Sequence, residues 1–209
     1  MRKLTAITAL QEIVAGSGHA GAAVGFGLAV SAEKLSAPDA MLLWVREVGA
    51  AIETGDVYGP GLAALGISQD RLVVVRARTH ADALRAALEG SRCTALSAVV
   101  LETCNAVDLT ASRRLKLASE KSGVSVVLIR LTNANVPNAA QVRWLVSAAL
   151  QTAAPGDRSL TAFQVKILKH PAGLIGKTCI MEWDHERHSF AEAISMPLAA
   201  IPGIGSLAA

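Results

Sequence analysis

Short apolar runs alternate with helix-like stretches over the first two thirds of the chain, and this alternation constrains the fold more than any other feature. The apolar runs are strand-like and lie at residues 5–14, 40–46, 71–77, 96–102 and 125–131. Helical patterns occupy residues 21–32, 80–90 and 110–121. Strands joined by helices on short connections form βαβ units, which build a parallel sheet with helices on its faces. The sequence therefore predicts an α/β fold.

The pattern changes after residue 132, where regular helical spacing ends. A polar loop and a further strand at 141–148 precede two alternating segments, 161–169 and 177–184, around a turn. These segments predict an antiparallel hairpin at the edge of a mostly parallel sheet. We expect a single domain over residues 1–209, with a parallel α/β core in 1–132 and antiparallel edge strands and a tail in 133–209.

Two stretches within the core lack a clear period. Residues 47–60 read as a glycine-dotted loop, and residues 62–65 read as a brief helical turn closed by Gly66. Both lie between the second and third predicted strands. We therefore expect a long irregular connection there.

Composition supports the fold and limits the function. Hydrophobic residues make up 52% of the chain but aromatic residues only 3%, as expected for buried parallel strands under alanine-rich helices. The three cysteines, Cys93, Cys104 and Cys179, have neither metal-binding nor disulfide-framework spacing. No membrane span is evident, and a net charge of +3 without a basic arm predicts weak or indirect contact with DNA. We expect a cytoplasmic protein without a metal site.

A glycine-rich loop follows the first predicted strand. Residues 16–23 read Gly-Ser-Gly-His-Ala-Gly-Ala-Ala, the spacing of a phosphate-binding P-loop, G-x-x-x-x-G-K-[ST], with alanine at its last two positions. In a working P-loop the lysine reaches the β- and γ-phosphates and the hydroxyl holds Mg²⁺, and alanine does neither. The loop is therefore interpreted either as a small-residue turn common to α/β proteins or as a vestigial phosphate loop formed by Gly16, Gly21, Ala22 and Ala23.

With this loop, the order of elements resembles the core of RecA proteins. Residues 98–102, Ala-Val-Val-Leu-Glu, stand where a RecA protein carries its Walker B strand, so the resemblance makes Glu102 a vestigial Walker B residue. Glu47 stands near the position of the glutamate that orients the attacking water. The resemblance thus implies a RecA-like core that has lost its nucleotide chemistry, with no cofactor and no catalytic residues.

Other stretches resemble the ImuA family, RecA/SulA-like accessory proteins of bacterial damage-induced mutagenesis. The most specific are Tyr-Gly-Pro-Gly-Leu at 58–62 and Asp-Leu-Thr-Ala-Ser-Arg-Arg-Leu at 108–115, and Glu-Trp-Asp-His-Glu-Arg-His-Ser-Phe at 182–190 extends the resemblance over nearly the whole chain. It implies a non-catalytic scaffold of SOS-induced translesion synthesis (the mutasome). Its partners would be RecA, an inactive Y-family polymerase-like protein (ImuB) and an error-prone replicative-type DNA polymerase. Because the first strand begins almost at Met1, where RecA carries a filament-forming segment, we expect no filament of that type.

The densest basic cluster is Arg113, Arg114 and Lys116. On a helix, Arg113 and Lys116 share a face, whereas Arg114 points about 100° away. The cluster is either a solvated face balanced by Asp108 and Glu120 or a docking surface for an acidic partner or a phosphate backbone. These three residues are the candidate partner-binding residues.

Two other functions fit the same core. One is a SulA-type inhibitor of cell division that binds FtsZ, and the other is an atypical ATPase, against which Ala22 and Ala23 argue. Two further motifs lack the required spacing: Gly-Lys-Thr at 176–178 has no glycine five residues upstream, and His-Glu-Arg-His at 185–188 places its histidines too close together for a zinc helix. Neither is interpreted as a site.

Overall fold

The computed structural model describes residues 9–132, 136–149 and 160–191. Its strands, in chain order, are β1 (Leu10–Ala15), β2 (Met41–Glu47), β3 (Leu72–Ala77), β4 (Leu96–Thr103), β5 (Ser125–Arg130), β6 (Val142–Ala148), β7 (Leu160–Lys169), β8 (Thr178–Asp184) and β9 (Ser189–Phe190). Its helices are α1 (Ala20–Ala32), α2 (Val48–Thr54), α3 (Gly59–Ala64), α4 (His80–Arg92) and α5 (Leu109–Ser122).

The nine strands of the described ranges belong to one sheet, ordered β3-β2-β4-β5-β1-β6-β7-β8-β9. The pairs among β1 to β6 are parallel, and β7, β8 and β9 are added in antiparallel fashion. The mostly parallel α/β sheet with antiparallel C-terminal strands is thus confirmed. The antiparallel part contains one more strand than the predicted hairpin, because the chain turns back after β8 and pairs Phe190 with Trp183.

The sheet separates two cores. Successive residues of a strand point to opposite faces, so in β5 Ile129 packs towards α1, and its neighbour Leu128 packs towards α4 and α5. The α1 side holds the large aromatic residues, including Trp144 and Phe26, whose ring centroids are 6.2 Å apart. The α4 and α5 side is built mainly from aliphatic residues. Helices therefore cover both faces of the parallel strands, as the βαβ pattern requires.

The connection at 47–60 is not the predicted loop. It contains α2 and the start of α3, which begins at Gly59 and not at residue 62. Both helices have at most seven residues, so neither shows a readable period, and they are stabilised by packing instead of by propensity. The glycines predicted as loop residues mark the ends of these helices: Gly55 ends α2 with a φ of 79°, and Gly59 with Pro60 opens α3.

The predicted bounds of the first strand also change. β1 runs from Leu10 to Ala15, so it extends one residue beyond the predicted end at residue 14. Residues 5–8, part of the polar loop after residue 132 and the tail beyond residue 191 lie outside the described residues. No helix in the described ranges is both long and apolar enough to cross a bilayer.

Candidate functional site

The glycine loop lies against the neighbouring strand β6. The Gly16 N–H donates to the Val146 carbonyl at 2.8 Å, and a Cβ on Gly16 would lie 2.2 Å from the Ser147 Oγ. A Cβ at this position would require the Ser147 hydroxyl to move and would lie 3.2 Å from the Val146 carbonyl oxygen, so glycine suits this close approach. Gly18 has a φ of 74°, and α1 then starts at Ala20 without a side-chain cap from the preceding residue.

The alanines at the lysine and hydroxyl positions of the P-loop pattern have different surroundings. Ala22 is half-buried and lines a cavity beside α1, whereas Ala23 is fully buried in the core between α1 and the sheet. Gly21 is exposed and reaches the same cavity. The first three N–H groups of α1 have no partner within the helix. The loop thus offers a helix N-terminus but no cationic or hydroxyl side chain at these two positions.

The cavity has a volume of about 710 Å³ and lies between α1, α3 and β7. Its wall is mostly apolar and includes Val24, Trp44, Leu62 and Phe163. Arg46 is its only Lys or Arg residue among those described. The volume is typical of small-molecule pockets, but the nature of the site depends on what Arg46 already contacts.

Arg46 and Glu102 form a salt bridge across the ends of β2 and β4. The Arg46 Nε lies 2.7 Å from Glu102 Oε2, and its Nη2 lies 3.3 Å from Oε1. The same Nη2 donates to Thr54 Oγ1 at 2.7 Å and to the Gly55 carbonyl at 2.8 Å, and the Thr54 hydroxyl also contacts Glu102 Oε1. The guanidinium carbon lies 4.4 Å from the centroid of the Trp44 ring. The carboxylate predicted at the Walker B position is thus neutralised by an arginine.

Glu47 lies on the opposite face of the sheet from Arg46, and its carboxylate is also hydrogen-bonded within the fold. It accepts from the Thr103 hydroxyl and, at 2.7 Å, from the Asn105 Nδ2, and His80 Nδ1 lies 3.4 Å away. Glu47 is 8% exposed and Thr103 is fully buried. Glu47 and Glu102 therefore point to different sides of the sheet, and the structure does not bring them together.

Sequence reasoning missed Arg46 and a second buried ionic group around Glu12. Glu12 lies in β1 and is 1% exposed, and its two oxygens contact Arg130 Nε at 3.1 Å and Arg143 Nε. The sequence does carry a signal for both groups, because Arg46 and Glu12 each interrupt an apolar strand. A charge buried in a parallel strand requires a partner, and the neighbouring strands supply it.

The predicted basic cluster on α5 is divided by the structure. Arg113 and Arg114 are exposed, whereas Lys116 is half-buried and pairs with Glu120 Oε1 at 3.3 Å. Arg114 faces α4 and lines the depression between the two helices, which Arg113 and Lys116 do not line. Asp108 forms no ion pair with these three residues; its Oδ1 accepts from the Ala111 N–H and caps α5.

The turn after β8 supports α3. His185 Nδ1 lies 2.7 Å from the Ala64 carbonyl, and its Nε2 lies 2.8 Å from Thr161 Oγ1. Trp183 Nε1 donates to the same carbonyl at 3.2 Å. These contacts give the histidine a structural role. In the part of the chain that the structure describes, no three His, Cys, Asp or Glu residues are placed to hold a metal ion.

No protein-family model matches the chain. Over 89 residues it is 43% identical to "Protein ImuA" of Caulobacter vibrioides, with the same match in strains NA1000/CB15N and ATCC 19089. The match covers 41% of this chain and 36% of the relative, so it spans little more than a third of the curated protein. The solved structure of SulA from Pseudomonas aeruginosa aligns with a TM-score of 0.44 and 23% identity, over 60% of this chain and all of that one. The chain is thus similar to ImuA over part of its length.

Proposed function

We propose that this chain is a non-catalytic accessory protein of DNA-damage-induced translesion synthesis. Its 43% identity to ImuA over 89 residues is the observation that carries the proposal. Its role is that of a cytoplasmic scaffold that binds RecA, an ImuB-like Y-family polymerase-like protein and an error-prone replicative-type polymerase. Contact with DNA is weak or indirect, because the chain carries a net charge of only +3.

The contacts of the candidate ATPase residues support a non-catalytic role. Phosphoryl transfer depends on positioned cations and on a residue that orients the nucleophile. Here Ala22 and Ala23 replace the lysine and the hydroxyl, Glu102 is paired with Arg46, and Glu47 is held by Thr103 and Asn105. Each group that would handle phosphate, metal or water is therefore absent or already bound within the fold.

A RecA-like core is part of the same proposal. The glycine loop follows β1, Glu102 lies near the end of β4, and β5 separates the two strands. In this proposal the shape of the core persists for binding after its nucleotide chemistry is lost. Strand β3 is the candidate surface for binding a partner, because it forms one edge of the described sheet and its residues Val73 and Val74 are 43% and 37% exposed. An apolar edge strand can accept a strand from another protein.

The direct test is binding of the purified chain to each candidate partner. Pull-down and sedimentation would use RecA, the polymerase-like protein and the polymerase, with FtsZ in parallel. We expect at least one of the first three to bind. Substituting Val74→Lys should weaken that binding if it uses the edge of β3, whereas Ile52→Lys, a matched change at a residue of α2 that is 78% exposed, should not.

Each possible result separates the hypotheses. Binding to FtsZ alone would replace the proposal with the division-inhibitor function. Binding to none of the four would reject both. In cells, deletion of the gene should lower the frequency of damage-induced mutations, and unchanged mutagenesis would contradict the proposal even if binding is seen in vitro.

A further inference from the structure

A groove runs between α4 and α5 on the sheet face opposite α1. It consists of two adjoining hollows of about 310 and 570 Å³, and Arg114 lines both. Leu84, Leu88 and Leu115 form the apolar floor of the first hollow, and Leu117 and Lys121 line the second. We call this surface the α4–α5 groove.

The positive charge of this surface comes from α5. That helix carries four basic residues and one acidic residue, and only Lys116 is paired within it. Arg113, Arg114 and Lys121 have no ion pair among the described residues. On α4, by contrast, each arginine is paired with an acidic residue three positions before it, Arg85 with Asp82 and Arg92 with Glu89.

The groove therefore combines an apolar floor with two uncompensated cations, Arg114 and Lys121. Leu117 lies between them in sequence, lines the second hollow and is 65% exposed, so an apolar side chain is accessible between the two cations. We propose that the α4–α5 groove binds an acidic segment of a partner protein that carries an apolar side chain between two carboxylates. That the occupant belongs to the mutagenesis machinery rests on the function proposed above.

The spacing of the cations defines the occupant further. Arg114 and Lys121 are seven residues apart on one helix, which is two turns or about 10 Å. A helical segment with acidic residues at positions i and i+7 matches this separation, and an apolar residue at i+3 or i+4 then lies over Leu117. The groove thus favours an amphipathic acidic helix lying along α5.

A nucleic acid fits the groove less well. Its described lining contains no aromatic side chain on which a base could stack. The phosphates of a nucleic acid are attracted by charge alone, whether or not an apolar surface lies nearby. They would therefore bind the exposed Arg113 as readily as its neighbour Arg114. An apolar floor and an exposed leucine favour a protein segment.

Arg113 provides a matched control for Arg114, because the two residues are adjacent, both exposed and both unpaired, yet only Arg114 lines the groove. The probe is a synthetic helical peptide of about 15 residues with Glu at i and i+7 and Leu at i+3 and i+4. We expect Arg114→Glu to weaken its binding at least about fivefold and Arg113→Glu to change it less than about twofold. Leu117→Asp should weaken it as Arg114→Glu does.

The purified partner proteins, a charge-reversed peptide and single-stranded DNA complete the experiment. Three results would each overturn the groove as a site for an acidic segment. The first is an equal loss of peptide binding in Arg114→Glu and Arg113→Glu, and the second is equal binding of the charge-reversed peptide. The third is DNA binding that depends on Arg114 while the acidic peptide does not bind. If RecA or the polymerase-like protein binds but both arginine variants bind it equally, the groove inference fails and the proposed function stands. If the peptide binds with the expected Arg114 dependence but no partner protein binds, the proposed function fails and the groove remains.

Discussion

Arg46 and Glu102 are paired at the ends of adjacent parallel strands, and neither side chain is more than 1% exposed. The register places them directly opposite each other, so the pair follows from the alignment of β2 with β4. A buried carboxylate requires a nearby cation. In this chain an arginine supplies that charge, which leaves Glu102 no free oxygen for a metal–nucleotide complex.

Removing the arginine alone should strongly destabilise the fold. In Arg46→Met, Glu102 is left buried without its cation, and we expect a loss of about 3–5 kcal/mol in the free energy of unfolding. The double variant Arg46→Met with Glu102→Leu should lose much less than the sum of the single changes, because it leaves no unpaired charge. Urea-induced unfolding of Arg46→Met, of Glu102→Leu and of the double variant measures both effects.

Arg76→Met is the control for this measurement. Its partner Asp56 is 82% exposed and Arg76 itself 60%, so loss of that pair should change stability by less than about 1 kcal/mol. A similar small loss for Arg46→Met would show that the buried pair is not required for stability.

Restoring the P-loop residues should not restore ATP hydrolysis. Ala22→Lys introduces a cation at the cavity wall, but Ala23→Thr places a hydroxyl and a methyl group where there is no exposed surface, at a cost of about 1–3 kcal/mol. Glu102 would still be paired with Arg46. We expect no phosphate release above background with Mg-ATP from the natural chain, from Ala22→Lys or from the double variant. Turnover by the natural chain that is lost in Glu102→Gln would contradict the non-catalytic interpretation.

The βαβ order was predictable because β1 to β5 are mostly apolar runs of six to eight residues, and α1, α4 and α5 between them have 13 or 14 residues each. The short helices α2 and α3 were not, because each depends on residues that are distant in sequence: α2 packs on α1 and β4, and the Ala64 carbonyl of α3 is contacted by Trp183 and His185. The extra strand β9 has two residues and shows no alternation of its own. Element order thus follows from local pattern, whereas short elements follow from packing.

The contacts of the candidate site residues could not be predicted from local sequence pattern either. The sequence located Glu102 at a strand end but could not show that Arg46 faces it, because that depends on which strands are neighbours and in which register. Likewise, helical geometry separated Arg114 from Arg113, but only the position of α4 shows which of the two lines a groove. Pairing across the sheet and between helices is information that a single sequence does not display.

Two glycines of α1 should respond in opposite ways to alanine. A Cβ on Gly27 would lie 2.6 Å from Ile129 Cδ1 and 3.1 Å from Ile13 Cδ1, and both isoleucines are fully buried. A Cβ on Gly25 would meet Phe163 Cε1 at 3.6 Å, an ordinary contact. We expect Gly27→Ala to lose about 1–2 kcal/mol of stability and Gly25→Ala to gain up to about 1 kcal/mol from helix propensity. Thermal unfolding checks the signs, and a gain for Gly27→Ala would show that the isoleucines move aside easily.

The three cysteines should differ in their reactivity towards a thiol reagent. Burial raises the pKa of the Cys179 thiol, and burial followed by the nearby carboxylates of Glu47, Glu53 and Glu102 raises the pKa of Cys104. The thiolate is the reactive form, so a raised pKa lowers its population at about pH 8, and both thiols should react more readily as the pH increases.

Cys93 is exposed and should therefore be modified first. The measurement is mass spectrometry of peptides from the chain after brief alkylation at several pH values, with Cys93→Ser as the control that removes the fast site. In that variant we expect only slow modification, with a rate at Cys104 that increases with pH. Modification of Cys104 as rapid as that of Cys93 would mean that the end of β4 opens to solvent, which would contradict the closed packing around Glu102.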